Sequence, residues 1–122
     1  MARKSDGRAH ERAVEYVWVY RFMTEGMGLR GCEPLVYARV FDFCRHEGVE
    51  FYESKRGTAR MLGMSEQQVH RAVASLEARG IIVEIGEHVL PNNRITKRYR
   101  LVDSAVERAV RVTERRNGTP GS

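Results

Sequence analysis

Gln67, Gln68, His70, Arg71 and Ser75 lie within nine consecutive positions. Glutamine amides and the arginine guanidinium are planar hydrogen-bonding forks. A Gln can meet the paired donor and acceptor on the edge of an adenine, and an Arg the paired acceptors of a guanine. His and Ser add single donors or acceptors. At these offsets the side chains share a face only if the segment is helical. Two further groups flank them. Lys55, Arg56 and Arg60 precede, with Ser65, and Asn92, Asn93, Arg94, Lys97 and Arg98 follow. Cations, amides and a hydroxyl in these places suit phosphate oxygens.

The charge is distributed to match. Between Ser54 and Arg100 nine basic residues face four acidic ones, an excess of five that equals the net +5 of the whole chain. Outside that segment twelve basic and twelve acidic residues cancel. A localised positive excess suits a polyanion, although on charge alone a solvated basic surface explains it equally well.

The elements that must hold these residues can be read from pattern. Glu33-Pro34 opens a helix to about His46, since proline is tolerated where its missing N–H lacks a partner. Tyr37, Val40, Phe41 and Cys44 recur on one face, with Val36 and Phe43 widening it, as in a central core helix. Val49–Tyr52 reads as a short strand and Lys55–Gly63 as a short helix. Ser65 then caps a helix over Glu66–Arg79, with Gln68 completing a capping box. Val69, Ala72, Val73 and Leu76 form its apolar face, and Gly80 supplies the left-handed stop. Residues 81–85 read as a strand, Pro91-Asn92-Asn93 as a turn, and 96–102 as an alternating strand with Arg98 and Arg100 outward. This makes a hairpin with a long loop. Ser104–Arg116 reads as a last helix with a narrow stripe of Val106, Ala109, Val110 and Thr113. Earlier, the aromatic and β-branched run Val14–Phe22 favours an extended segment over a buried helix. Gly26, Gly28 and Gly31 punctuate the connection that follows.

The order helix, strand, short helix, turn, capped helix, hairpin predicts a mainly α fold with a small antiparallel hairpin, an α+β winged helix-turn-helix. The stretch Thr58–Ile82 resembles winged-helix DNA-binding proteins, matching their pattern at Ala59, Leu62, Gly63, Ser65, Val69, Arg71, Leu76, Gly80, Ile81 and Ile82. It is most similar to bacterial MarR-type regulators and to the winged-helix modules of phage and plasmid replication initiators, over residues 33–102. The segment from Tyr16 to Ala38 is similar to small phage- or plasmid-borne members. The resemblance implies sequence-specific binding of double-stranded DNA in transcription control or, alternatively, in replication initiation. On that reading Gln67, Gln68, His70, Arg71 and Ser75 read bases. Lys55, Arg56, Arg60 and Ser65 hold the backbone, and Asn92, Asn93, Arg94, Lys97 and Arg98 form the wing contact.

The expected layout is a basic arm over 1–12, the winged domain over 13–102 (helix-turn-helix 57–80, wing 81–102), a terminal helix over 103–116 and a disordered tail over 117–122. No phosphate-binding glycine loop, nucleophile elbow or close histidine pair occurs, so neither catalysis, a metal nor a cofactor is expected. Cys32 and Cys44 read as reduced, packed thiols. No apolar run is long enough to span a membrane and the N-terminus lacks a secretory pattern, which places the chain in the cytoplasm without a membrane partner. A homodimer is expected, through Ala9–Phe22 and Ser104–Arg116. A protein-binding use of the same fold is the rival, opposed by the expectation that no large apolar residue is exposed on the recognition face or wing.

Overall fold

The structure is a computed structural model and describes residues 16–46 and 50–118. Tyr16–Tyr20 belongs to no helix or strand. Alternate rings line up along one side of it: centroids lie 6.2 Å apart for Tyr16 and Trp18, 6.3 Å for Trp18 and Tyr20, and 5.7 Å for Tyr20 and Phe22. Contact between residues two apart is what an extended chain gives. Phe22–Gly26 is a single π-helical turn closed by Met27 N–H donating to Phe22 C=O (2.8 Å). Helix α1 spans Glu33–His46, α2 Lys55–Leu62 and α3 Glu66–Ala78. Strands β1, Ile82–Val89, and β2, Ile95–Leu101, follow, and then α4, Asp103–Gly118.

Local chemistry explains the boundaries. Ser54 caps α2, its Oγ accepting from Gly57 N–H (3.0 Å), and Gly63 ends it at φ +69°. Ser65 and Gln68 make the reciprocal capping box at the start of α3. Gln68 N–H donates to Ser65 Oγ (3.1 Å) and Ser65 N–H to Gln68 Oε1 (2.9 Å). Gly80, at φ +75°, releases the chain into β1. Each such cap is worth about 1 kcal/mol.

The core forms where three helices meet one face of the hairpin. Val36, Tyr37 and Val40 of α1, Ala59 of α2, and Val69, Ala72, Val73 and Leu76 of α3 are buried together with Phe51, Ile81, Ile82 and Tyr99. Arg39 of α1 donates two bonds to the Glu53 carboxylate (2.9 and 2.8 Å), which also accepts from the Thr58 hydroxyl (2.9 Å). This partly buried pair fixes the entry to α2 against α1. At the far end α4 buries Ala105 and Ala109 against the π turn. Gly26 makes that approach possible, because a β-carbon there would lie 2.2 Å from the Ala109 carbonyl oxygen.

The strands pair antiparallel, Ile82 opposite Leu101 and Val89 opposite Ile95, with a bulge between Glu84 and Gly86. Phe51 adds an isolated antiparallel bridge to Tyr99, with N–H···O distances of 2.7 and 2.8 Å. Helix, helix-turn-helix and hairpin in this order make a winged helix, an α+β fold.

Four details differ from the sequence reading. The hairpin is longer and its loop shorter: β1 runs on through Val89, and only Leu90–Arg94 connect the strands. Gly86, at φ +148°, absorbs the bulge within the strand, a common use of glycine within a sheet. The strand expected over Val49–Tyr52 contracts to the single Phe51 bridge, with Val49 outside the described residues. Helical structure begins at Arg21 and so takes in Phe22, the end of the run expected to be extended. Finally, α4 continues through Asn117 and Gly118, positions assigned to the tail. The arm 1–12 and residues 119–122 lie outside the described residues.

Candidate nucleic-acid interface

The apolar positions of α3 leave one stripe open. Gln67, His70, Arg71, Ala74 and Ala78 are exposed, at helical spacing, opposite the buried Val69, Ala72, Val73 and Leu76. Gln68 is also exposed, but its amide oxygen is engaged in the capping box, so its NH₂ group is what remains to offer. Ser65 is exposed at the same end, its Oγ accepting from Gln68 N–H. Ala74 was not anticipated as part of this surface. The periodicity that selected Gln67, His70 and Arg71 selects it too, but an alanine carries no polar signal.

A cleft flanks α3 on either side. The first, an open groove of about 440 Å³, lies between α3, the start of α2 and the hairpin. Lys55, Arg56, His70, Arg94 and Lys97 line it, so residues from three separate sequence segments converge there. Glu66 is the acidic member of the lining and lies 3.9 Å from Arg56; Lys97 lies 3.4 Å from Glu84. Both pairs are well exposed, and such pairs hold by about 1 kcal/mol or less, so an incoming anion can displace them. Lys55 is different. It is half-buried, its Nζ 3.3 Å from the Tyr99 hydroxyl and 5.3 Å from that ring's centre. Burial, and then the nearby Lys97, hold its pKa below the ordinary lysine value, while Glu77 and Glu84 oppose the shift. Two ammonium groups brought together in this way favour an anion between them. The second cleft, about 280 Å³, joins Gln68 and Arg71 to Arg30, Cys32 and Glu33 at the entry to α1. Arg30 is exposed there. No sequence motif marked it, because the chain must fold before residue 30 meets residue 71.

The hairpin tip is held by its own polar groups. Arg94 N–H donates to Asn92 Oδ1 (3.0 Å), and Asn93 takes a positive φ of 66°. Asn92, Asn93 and Arg94 are exposed, as is Arg60 on α2, which is not among the residues lining the groove.

Two expected contact residues are turned elsewhere. The Ser75 hydroxyl donates to the Glu33 carboxylate, which also lies 3.4 Å from the Arg79 guanidinium. Ser75 thereby fastens α3 to the start of α1 and is not on the free stripe. Arg98, expected to point outward on the wing, crosses Gly86 and donates to Glu50 (2.9 Å). The missing side chain at Gly86 makes room for the guanidinium, since a β-carbon there would lie 2.7 Å from Arg98 Nη2. The expectation that the wing exposes no large apolar residue is also corrected. Val89 and Ile95 are 61% and 60% exposed.

No family model and no curated protein matches the chain. Among solved structures it is similar to a "possible transcriptional regulator" from Methanosarcina mazei Go1, at 13% identity and a TM-score of 0.49, over 81% of this chain and 82% of the other. A likeness of that degree decides neither family nor function. Among the described residues no helix is long and apolar enough to cross a membrane, and no group of three His, Cys, Asp or Glu side chains is arranged to hold a metal.

Proposed function

We propose that the chain binds double-stranded DNA, with α3 in the major groove and the hairpin against the neighbouring backbone, as a regulator of transcription and not as an enzyme. The observation that carries this reading is the exposed stripe Gln67–His70–Arg71–Ala74 beside a groove lined by Lys55, Arg56, Arg94 and Lys97. Gln67 and Arg71 are exposed fork-shaped side chains on this stripe, of a type suited to base edges, and the exposed Ala74 offers a methyl surface suited to thymine. The N-terminal N–H groups of α3, beside Ser65, add a positive end for a phosphate. Arg30 supports the backbone from the opposite flank. Within this reading, a MarR-type repressor and a replication-initiator module use the same surface. A homodimer binding two half-sites about one helical turn apart fits either.

Gel retardation with a random-sequence duplex at low salt is the first test. Retardation at micromolar protein is expected, and its absence sinks the reading. Arg94→Ala and Lys97→Ala should then weaken all sequences alike, each lowering the slope of log affinity against log salt by about one. Selection from a random duplex pool should return a preferred site, and a repeated half-site if two copies bind. The exposed Val89 and Ile95 favour a second reading, a protein-binding winged helix. That reading expects no duplex retention at any salt.

A further inference from the structure

The hairpin carries one feature that phosphate binding does not use. Val89 and Ile95 are directly paired across the strands, last in the register before the turn, and both are about 60% exposed. Ile95, Lys97, Tyr99 and Leu101 alternate onto one face of β2, with Tyr99 buried in the core. Ile95 lines the groove with His70, Lys55 and Lys97, and with the buried Thr96 between them. Leu90 lines the same groove. An apolar knob thus continues the candidate interface outward, with Arg94 beside it.

We infer that Val89 and Ile95 form a wedge that enters the minor groove next to the site read by α3 and bends the duplex. The inference rests on the duplex reading above. Aliphatic side chains used in this way part a base step and kink DNA by roughly 20–90° toward the major groove, and the exposed Arg94 supplies a cation for the phosphates beside the opened step. Cross-strand packing between the two residues alone would leave them where they are, but it does not account for Ile95 opening onto the cationic groove with Leu90 beside it. The wedge also predicts a preference at base pairs that α3 never touches: a flexible TA or CA step under the wing should bind more tightly than a stiff A-tract.

The test is the end-to-end distance of a dye-labelled duplex of about 25 base pairs, carrying a site selected as above, at saturating protein. The double variant V89T/I95T keeps β-branching, so the hairpin's strand preference survives. Wild type and Arg71→Ala should both shorten the distance. V89T/I95T should still bind, several-fold more weakly, with most of the shortening gone and the step preference erased. An unbent duplex in the wild-type complex, or the same bend with V89T/I95T, overturns the wedge while duplex binding stands. Failure of every duplex to bind overturns both readings.

Discussion

Arg71 and Arg98 show how far a residue's type determines its use. Both are arginines within the basic segment, but Arg71 stands exposed on α3 while Arg98 is tied to Glu50 across Gly86. Arg71→Ala should therefore lower discrimination between the preferred and altered sites by about 1–3 kcal/mol and leave the melting temperature nearly unchanged. Arg98→Ala should do the reverse, lowering stability by about 1 kcal/mol or less, as for other half-exposed ion pairs, with affinity retained. Paired thermal melts and binding titrations on the two variants check this, and matching losses of affinity would show Arg98 to be a contact after all. The sequence could not separate these roles, nor that of Ser75, because the deciding partners lie far along the chain. Glu50 is 48 residues from Arg98 and Glu33 is 42 from Ser75. Gln68 differs in kind. Its capping role is local and was legible, and that same role takes up half of the amide offered to a base.

Among the elements, those stabilised from within were the most legible. The limits of α1, α2 and α3 follow from Pro34, Ser65, Gly63 and Gly80, whose effects extend over a turn or less. The hairpin was harder. A glycine in mid-strand reads as punctuation until its partner strand shows that it holds a bulge and makes room for Arg98. Gly26 also read as a loop residue, whereas its importance lies in its close approach to Ala109, 83 positions later. Gly26→Ala should force the π turn and α4 apart. The expected cost is about 1–3 kcal/mol, the usual range for overpacking, measured as a lower urea midpoint. Because α4 takes no part in the clefts beside α3, specificity of binding should persist in the folded fraction. An unchanged midpoint would mean that the two elements are not packed together in solution.

For the molecule as a whole, the winged architecture and the location of the charge were both visible in the sequence, since order of elements and net charge survive folding unchanged. Its response to alkali was not, because that depends on burial. The Cys44 thiol is pushed up to about 11, chiefly by burial, and the Tyr99 hydroxyl to about 12 for the same reason, with Tyr37 raised further. In the unfolded chain these groups ionise at their ordinary values. Above about pH 9 the unfolded state therefore releases protons first, and stability falls as pH rises. Lys55, whose pKa is lowered on folding, acts in the opposite direction below its ordinary value. Three groups against one should give melting temperatures that decline from pH 9 to 11, with Cys44→Ala delaying the onset; a flat profile would contradict the burial of these groups. The row of rings before the first helical turn has an optical consequence. Trp18 is the chain's single tryptophan, 60% exposed and outside both clefts beside α3. Its emission should therefore stay steady while a duplex with room for one copy is added, yet shift to shorter wavelength on concentrating the protein if two copies meet along that row, so the chain carries its own fluorescent reporter of self-association.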